Sequence, residues 1–285
     1  MTRIKSLLDL LKLEQIEHNI FRGQSQDVGS KRVFGGQVLA QSLQACTATV
    51  GSDRLCHSLH AYFILAGDVN APIVFNVDRI RDGRSFTTRR AVAIQHGRPI
   101  FNMAASYQLD QPGLDYACKA PKVTMPEDLP SISELIKPYL DKLPRVVTSF
   151  FSEDHPIEYK PVEVSNYLNP EKRDPVRHLW FKTRGQMPDN QAAHRCVLAY
   201  ISDFYLLGTA LLPHAIPLLS QKVKMASLDH AIWFHREFRT DEWLLYAVES
   251  PNTSNSRGFC RGNVFNRQGQ LVASVAQEGM VRMVE

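Results

Sequence analysis

Cysteine is sparse in this chain and carries none of the spacings that bind metal or build a disulfide scaffold. Cys46, Cys56, Cys118, Cys196 and Cys260 are scattered, odd in number and free of CxxC pairs, so a reducing compartment is expected. No continuous apolar run reaches the ~18 residues of a membrane span. The start, Met1-Thr-Arg-Ile-Lys-Ser-Leu-Leu, lacks the apolar region and small-residue cleavage site of a secretory signal. A soluble, unprocessed protein without a membrane partner is therefore expected. Long runs of one charge are missing too: 33 Lys and Arg are interspersed with 29 Asp and Glu for a net +4, so no nucleic-acid partner is expected.

Several motifs are also absent. Gly23-Gln-Ser25-Gln-Asp27 fails the GxSxG nucleophile elbow for want of its last glycine, and there is no Walker A sequence, no GxGxxG opening a helix, and no HExxH. No metal is expected.

What is present is a repeat. Ser227-Leu-Asp-His-Ala-Ile-Trp-Phe-His235 has a fainter twin at Ser58-Leu-His-Ala-Tyr-Phe63, and each opens a strand-like run followed by further such runs and a Gly-bearing turn. The paired serines lie 169 residues apart and the turn glycines Gly97 and Gly269 lie 172 apart. Such a period is too long for a solenoid and fits two copies of one small domain. A length of 285 residues agrees, at roughly 150 residues per domain, and 44% hydrophobic residues suffice for a core in each.

Read in order, Ile4, Leu7, Leu8 and Leu11 have helical spacing, and a strand follows near Ile16 to Phe21. Small and unbranched residues from Val38 to about residue 49 favour a helix opened by Gly35-Gly36. Strands are expected at Leu55–Leu65, Ile73–Ile80, Phe86–Gln95 and Ile100–Leu109. From 111 to 156 prolines punctuate the chain, and one helix is expected near Ser131–Leu140 in a linker long enough to lie across one half. The plan then repeats: strands at Ile157–Val164 and Leu179–Thr183, a helix at His194–Leu207, and strands at Met225–Phe234, Leu244–Ser250, Gly258–Asn266 and Leu271–Met283. The expected class is α+β, a helix wrapped by a curved antiparallel sheet and used twice. The division is 1–110, a linker at 111–156, and 157–285.

Candidate chemistry centres on polar residues in apolar company. Asp203 lies among Tyr200, Ile201, Phe204 and Tyr205, where it reads equally as a functional carboxylate or as a structural one bonded to a hydroxyl or a helix end. Gln277 ends the buried-strand pattern Val272–Ala276, yet the spacing alone favours a strand-end glutamine facing water. Ser227 reads as a strand-start serine that bonds its own backbone, or as a hydroxyl in a site. Gly35-Gly36 fits a loop needing positive φ, or a backbone that must approach a ligand at a helix N-terminus. His57, His60, His230 and His235 cluster at the repeated strand starts without metal-ligand spacing. Arg79, Arg81, Arg84, Arg89 and Arg90 crowd one hairpin, which reads better as solvated and paired with Asp78 and Asp82 than as a phosphate site.

In order along the chain, Val33-Phe-Gly-Gly-Gln37, His57-Ser-Leu-His60, Arg81-Asp-Gly83, Gly97-Arg-Pro-Ile-Phe101, Ser202-Asp203, Ser227-Leu-Asp-His230, Trp233-Phe-His235, Ser256-Arg-Gly258 and Ala276-Gln-Glu-Gly279 resemble the acyl-CoA thioesterase II family. The resemblance implies a double hotdog fold and hydrolysis of acyl-CoA to fatty acid and CoA without metal or cofactor. It also implies that Asp203, Ser227 and Gln277 hold the hydrolytic water, with Gly35, Gly36 and His57 near the substrate. Bacterial members carry Thr at the Ser227 position, whereas Ser resembles the peroxisomal members. The end Met283-Val-Glu285 is not Ser-Lys-Leu, so a cytoplasmic enzyme is expected. By analogy with the family, a homo-oligomer, dimer or tetramer, is expected. A hotdog enoyl-CoA hydratase or dehydratase, or a non-catalytic acyl-CoA-binding module, are the alternatives.

Overall fold

The computed structural model describes residues 3–143, 145–164, 170–217, 220 and 222–284. Met1, Pro144 and Glu285, on which parts of the sequence reading fall, lie outside them. Helix α1 (Arg3–Leu11) buries Ile4, Leu7 and Leu11 along one stripe, and a hairpin of β1 (Glu14–Glu17) and β2 (Ile20–Gly23) takes the place of the single strand expected there. Then come α2 (Gly35–Thr47), β3 (Arg54–Phe63), β4 (Ile73–Asp82), β5 (Phe86–Gln95) and β6 (Arg98–Leu109).

The intervening segment holds α3 (Ile132–Ile136), closed by a capping box between Ser131 and Glu134, and α4 (Arg145–Phe151), which the proline-dense sequence did not announce. The second half contributes β7 (Ile157–Pro161), β8 (Val176–Thr183), α5 (Gln191–Ser202), β9 (Val223–Ser227), β10 (Asp229–Phe234), β11 (Leu244–Ser254), β12 (Arg257–Phe265) and β13 (Leu271–Met283).

All these strands form one antiparallel sheet in the order β1-β2-β4-β5-β6-β3-β10-β13-β12-β11-β8-β7, with β9 paired to β13. The halves mirror each other about the β3/β10 pair, where Ser58 faces Trp233 and Tyr62 faces Asp229. The repeat recognised in the sequence is thus the seam of the molecule. Gly97 (φ 71°) and Gly269 (φ 80°) occupy corresponding hairpin turns in the left-handed region that glycine enters without strain.

Helices α2 and α5 pack against one another inside the sheet, and most residues of each are buried. A helix apolar around its circumference must be enclosed. By length and composition Gln191–His214 could cross a membrane, but 72% of its most apolar window is buried within the fold, so it is core. The linker lies across the second half: Trp180 donates from Nε1 to the Thr124 carbonyl at 2.9 Å, and Ala120, Val123 and Leu129 pack near Trp180, Leu245 and Phe265. Within the arginine-rich hairpin, Arg90 pairs with Asp78 at the surface as expected. Arg89, however, is only 1% exposed and donates to Thr49 and Asp82, fastening the hairpin to the end of α2.

Candidate active site

The apolar pattern through Leu207 predicts a helix that continues past Asp203, but α5 stops at Ser202. Asp203 is its C-terminal cap, and Tyr205 turns the chain with a φ of 73° before a 3₁₀ segment at Leu207–His214. A carboxylate at the negative end of a helix dipole is disfavoured unless donors surround it. Two are present. The Ser227 hydroxyl donates to Asp203 Oδ1 at 3.1 Å, and Gln277 donates from Nε2 to the same oxygen at 2.6 Å. The Asp203 side chain is only 5% exposed.

A bulge aims the serine. The expected single strand Met225–Phe234 breaks at Leu228: Ser227 lies opposite Gly279, Ala231 lies opposite Ala276, and the extra residue is accommodated where the Glu278 N–H donates to Asp229 Oδ1 at 2.6 Å. Strand alternation alone would turn Ser227 and His230 to opposite faces. The slip turns both inward, the use to which bulges beside functional sites are put. Gln277 is fully buried on β13, two residues from Gly279 and on the same face. Its Oε1 has no protein partner among the described residues, leaving a buried acceptor beside Asp203.

The second oxygen of Asp203 faces the other half. A β-carbon added to Gly35 would lie 2.5 Å from Asp203 Oδ2, and one added to Gly36 would lie 2.3 Å from the Tyr200 carbonyl oxygen. Both glycines therefore serve close approach between α2 and α5; neither has positive φ. The N-cap of α2 is Phe34, which offers no side-chain cap. The first N–H groups of α2, which have no acceptor inside the helix, thus begin beside the Asp203 carboxylate.

His230 lies at the same place. Its ring is fully buried, with Nε2 2.9 Å from the Ser202 hydroxyl and Nδ1 4.0 Å from Asp203 Oδ1. Burial pushes the imidazole down to about 4 against the opposing pull of Asp203, so it is neutral at pH 7. The sequence marked His230 only as one of several histidines. Tyr246, which donates to the Ser202 carbonyl at 3.1 Å from β11, carried no signal beyond its place in a buried strand.

A cavity of about 320 Å³ adjoins these groups. Gly35, Ser227, Val38, Phe63, Phe101 and Met225 are among its walls. His57 is not brought there. It lies six residues before Phe63 on β3, roughly 20 Å along the strand, with Nε2 2.8 Å from the Ser106 hydroxyl and its ring edge-on to Phe86. Burial, and then the charge of Arg195, lowers its pKa. Among the described residues no group of three His, Cys, Asp or Glu side chains is placed to hold a metal ion.

The family model described as acyl-CoA thioesterase matches residues 146–280, and that described as acyl-CoA thioesterase N-terminal domain matches residues 22–108. The chain is 40% identical to Acyl-CoA thioesterase 2 of Haemophilus influenzae over 99% of both proteins. It is also 40% identical to human Acyl-coenzyme A thioesterase 8, over 96% of this chain and 88% of that one. Among solved structures, an acyl-CoA thioesterase II from Mycobacterium marinum superposes with a TM-score of 0.80 at 38% identity, covering 97% of this chain and 98% of the other. A hot dog fold protein from Alicyclobacillus acidocaldarius gives 0.79 at 17% identity over 98% and 99%, a likeness of fold.

Proposed function

Because the chain belongs to the acyl-CoA thioesterase family, we propose that Asp203, Ser227 and Gln277 activate the water with which this double hotdog enzyme hydrolyses acyl-CoA to free acid and CoA. The observation that carries the assignment is the sharing of one carboxylate oxygen. Asp203 Oδ1 accepts from both Ser227 Oγ and Gln277 Nε2, which fixes the carboxylate and leaves Oδ2 toward the start of α2.

In this reading a water beside Asp203 gives one proton to Oδ2 and directs its other hydrogen to Gln277 Oε1, which has no protein partner among the described residues. The water oxygen attacks the thioester carbon. Negative charge then develops on the carbonyl oxygen, where the N–H groups of Gly35 and Gly36 and the dipole of α2 stabilise it. Collapse breaks the C–S bond with its electron pair leaving on sulfur, and the proton held by Asp203 passes to the departing thiolate. A thiol is acidic enough, with a pKa of about 8.5, that the step needs little help.

The apolar walls of the adjoining cavity suit the acyl chain. Release of free thiol from a saturated acyl-CoA tests the reading against a hydratase or dehydratase, since a saturated chain has no double bond to hydrate. Tight binding without thiol release would favour a non-catalytic module.

We also propose the division 1–110, 111–156 and 157–285, and action in the cytoplasm as a homo-oligomer, dimer or tetramer. Unpaired cysteines throughout fit a reducing compartment. Tyr62, 62% exposed on the outer face of β3, and Trp233 opposite Ser58 offer apolar surface at the seam for a second copy to cover.

A further inference from the structure

The cavity beside Asp203 has a basic rim that the hydrolytic chemistry does not use. Arg32 lies on its wall three residues before Gly35. The adjoining backbone is pinned: the Arg32 N–H donates to Ser30 Oγ, that hydroxyl donates to the Arg32 carbonyl, and the Val33 N–H donates to the Gly67 carbonyl at 3.0 Å. The guanidinium is exposed and pairs with no carboxylate among the described residues. Asp68, the acid next to Gly67, is taken up by His96 at 3.0 Å and by Asn70.

A second pair of cations stands on the strand that supplies another wall of the same cavity. Met225, Ala226, Ser227 and Leu228 line it, and Lys224, two residues from Ala226 and on the same face, lies directly opposite Arg282 of β13. Both are exposed, and neither has a carboxylate partner among the described residues. Like charges opposite one another on neighbouring strands repel, and a bound anion removes that repulsion. Lys224 is three residues from Ser227, roughly 10 Å along the strand and turned by alternation to the opposite, exposed face that it shares with Ala226, so these cations flank the cavity from outside the sheet, at a remove from the Asp203 carboxylate that the pantetheine arm of the substrate spans.

We propose that Arg32, together with Lys224 and Arg282, forms the subsite for the phosphate groups of CoA. This rests on the reading that the site at Asp203 hydrolyses acyl-CoA. Arginine meets phosphate through two N–H groups at once, and lysine adds a point charge. The rim then sets the preference for CoA over carriers without phosphates, while the carboxylate site performs the same reaction on either.

The test compares an acyl-CoA with the pantetheine thioester of the same acid, for the wild type, Arg32→Gln and the double variant Lys224→Gln/Arg282→Gln. For acyl-CoA, KM should rise roughly tenfold in Arg32→Gln, the worth of one lost charge-assisted contact, and at least as much in the double variant, which loses two cations, with kcat nearly unchanged. For the pantetheine thioester both constants should stay as in the wild type. Added salt should raise the wild-type KM for acyl-CoA more than that of either variant. Equal losses on the two substrates, or no loss on acyl-CoA, would overturn the assignment. Calorimetric titration with CoA alone needs no turnover: weaker binding to the variants supports the subsite even if thiol release fails, whereas unchanged binding refutes it whatever the rates.

Discussion

Asp203 and Gly35, 168 residues apart in the chain, meet so closely that a single methyl group at Gly35 would overlap the carboxylate, 2.5 Å from Oδ2. The contact joins the negative end of α5 to the positive end of α2. Each half of the duplicated chain thus supplies one part of the proposed site: the carboxylate with its two donors from the second, the free backbone N–H groups from the first.

Gly35→Ala tests that contact. Alanine suits a helix start whose φ is not positive, and alone would stabilise the fold slightly, so the damage should appear in turnover. A displacement of about 1 Å in a reacting group costs about 10²-fold, and kcat should fall by that order while the circular dichroism spectrum and melting temperature hold. Normal turnover would separate Gly35 from the chemistry.

Asp203→Asn keeps the shape and an oxygen for Gln277 and Ser227 while removing the base. Thiol release should drop by roughly 10² to 10⁴-fold in kcat, the usual worth of a general base, with the protein still folded by the same spectroscopic measure. A variant within a few-fold of wild type would reject Asp203 as the base.

The parts legible in the sequence are those written in local pattern. Leu271–Met283 is rich enough in small and β-branched residues that its observed limits match the reading, and the paired Ser58 and Ser227 segments point to the strands that meet at the seam. What escaped depends on contacts from elsewhere. The apolar run through Phe204 to Leu207 hides the end of α5, because the reversal is made by Tyr205 at positive φ with no glycine to mark it. The bulge at Leu228–Asp229 is a one-residue slip inside a continuous strand pattern, and only pairing with β13 reveals it. Spacing alone leaves Asp203 open to a structural reading, and its choice as candidate base rests on the family resemblance; the contact with Gln277, 74 residues on, supplies a physical ground for it.

For Ser227 the hydroxyl matters and its carrier does not. Ser227→Thr preserves the donor to Asp203 Oδ1 and should keep kcat/KM within a few-fold, while Ser227→Ala removes a hydrogen bond to a charged group, worth about 1.5 to 3 kcal/mol, or about 10 to 150-fold. Parallel steady-state assays decide it, and equal rates in the two variants would make the hydroxyl a bystander.

Of the buried histidines, two make stability depend most strongly on pH. Burial pushes both His230 and His155 down to about 4 in the folded protein, whereas an unfolded histidine titrates near 6.5, about its ordinary value. The unfolded chain therefore binds protons first as pH falls. The stability these residues contribute is full above about pH 6.5, declines as pH drops toward about 4, and declines no further below it. At pH 5 each should have cost about 2 kcal/mol relative to pH 7.5. Urea denaturation at the two pH values measures the total, to which His57, His194 and His235, also lowered by burial, add their share, and His155→Gln, whose ring lies outside the Asp203 site and bonds the backbone of Ile157, should remove about 2 kcal/mol of it. A midpoint that shifts with pH as much in the variant as in the wild type would mean that His155 is not protonated on unfolding, and that groups other than this ring set the acid limit of the fold.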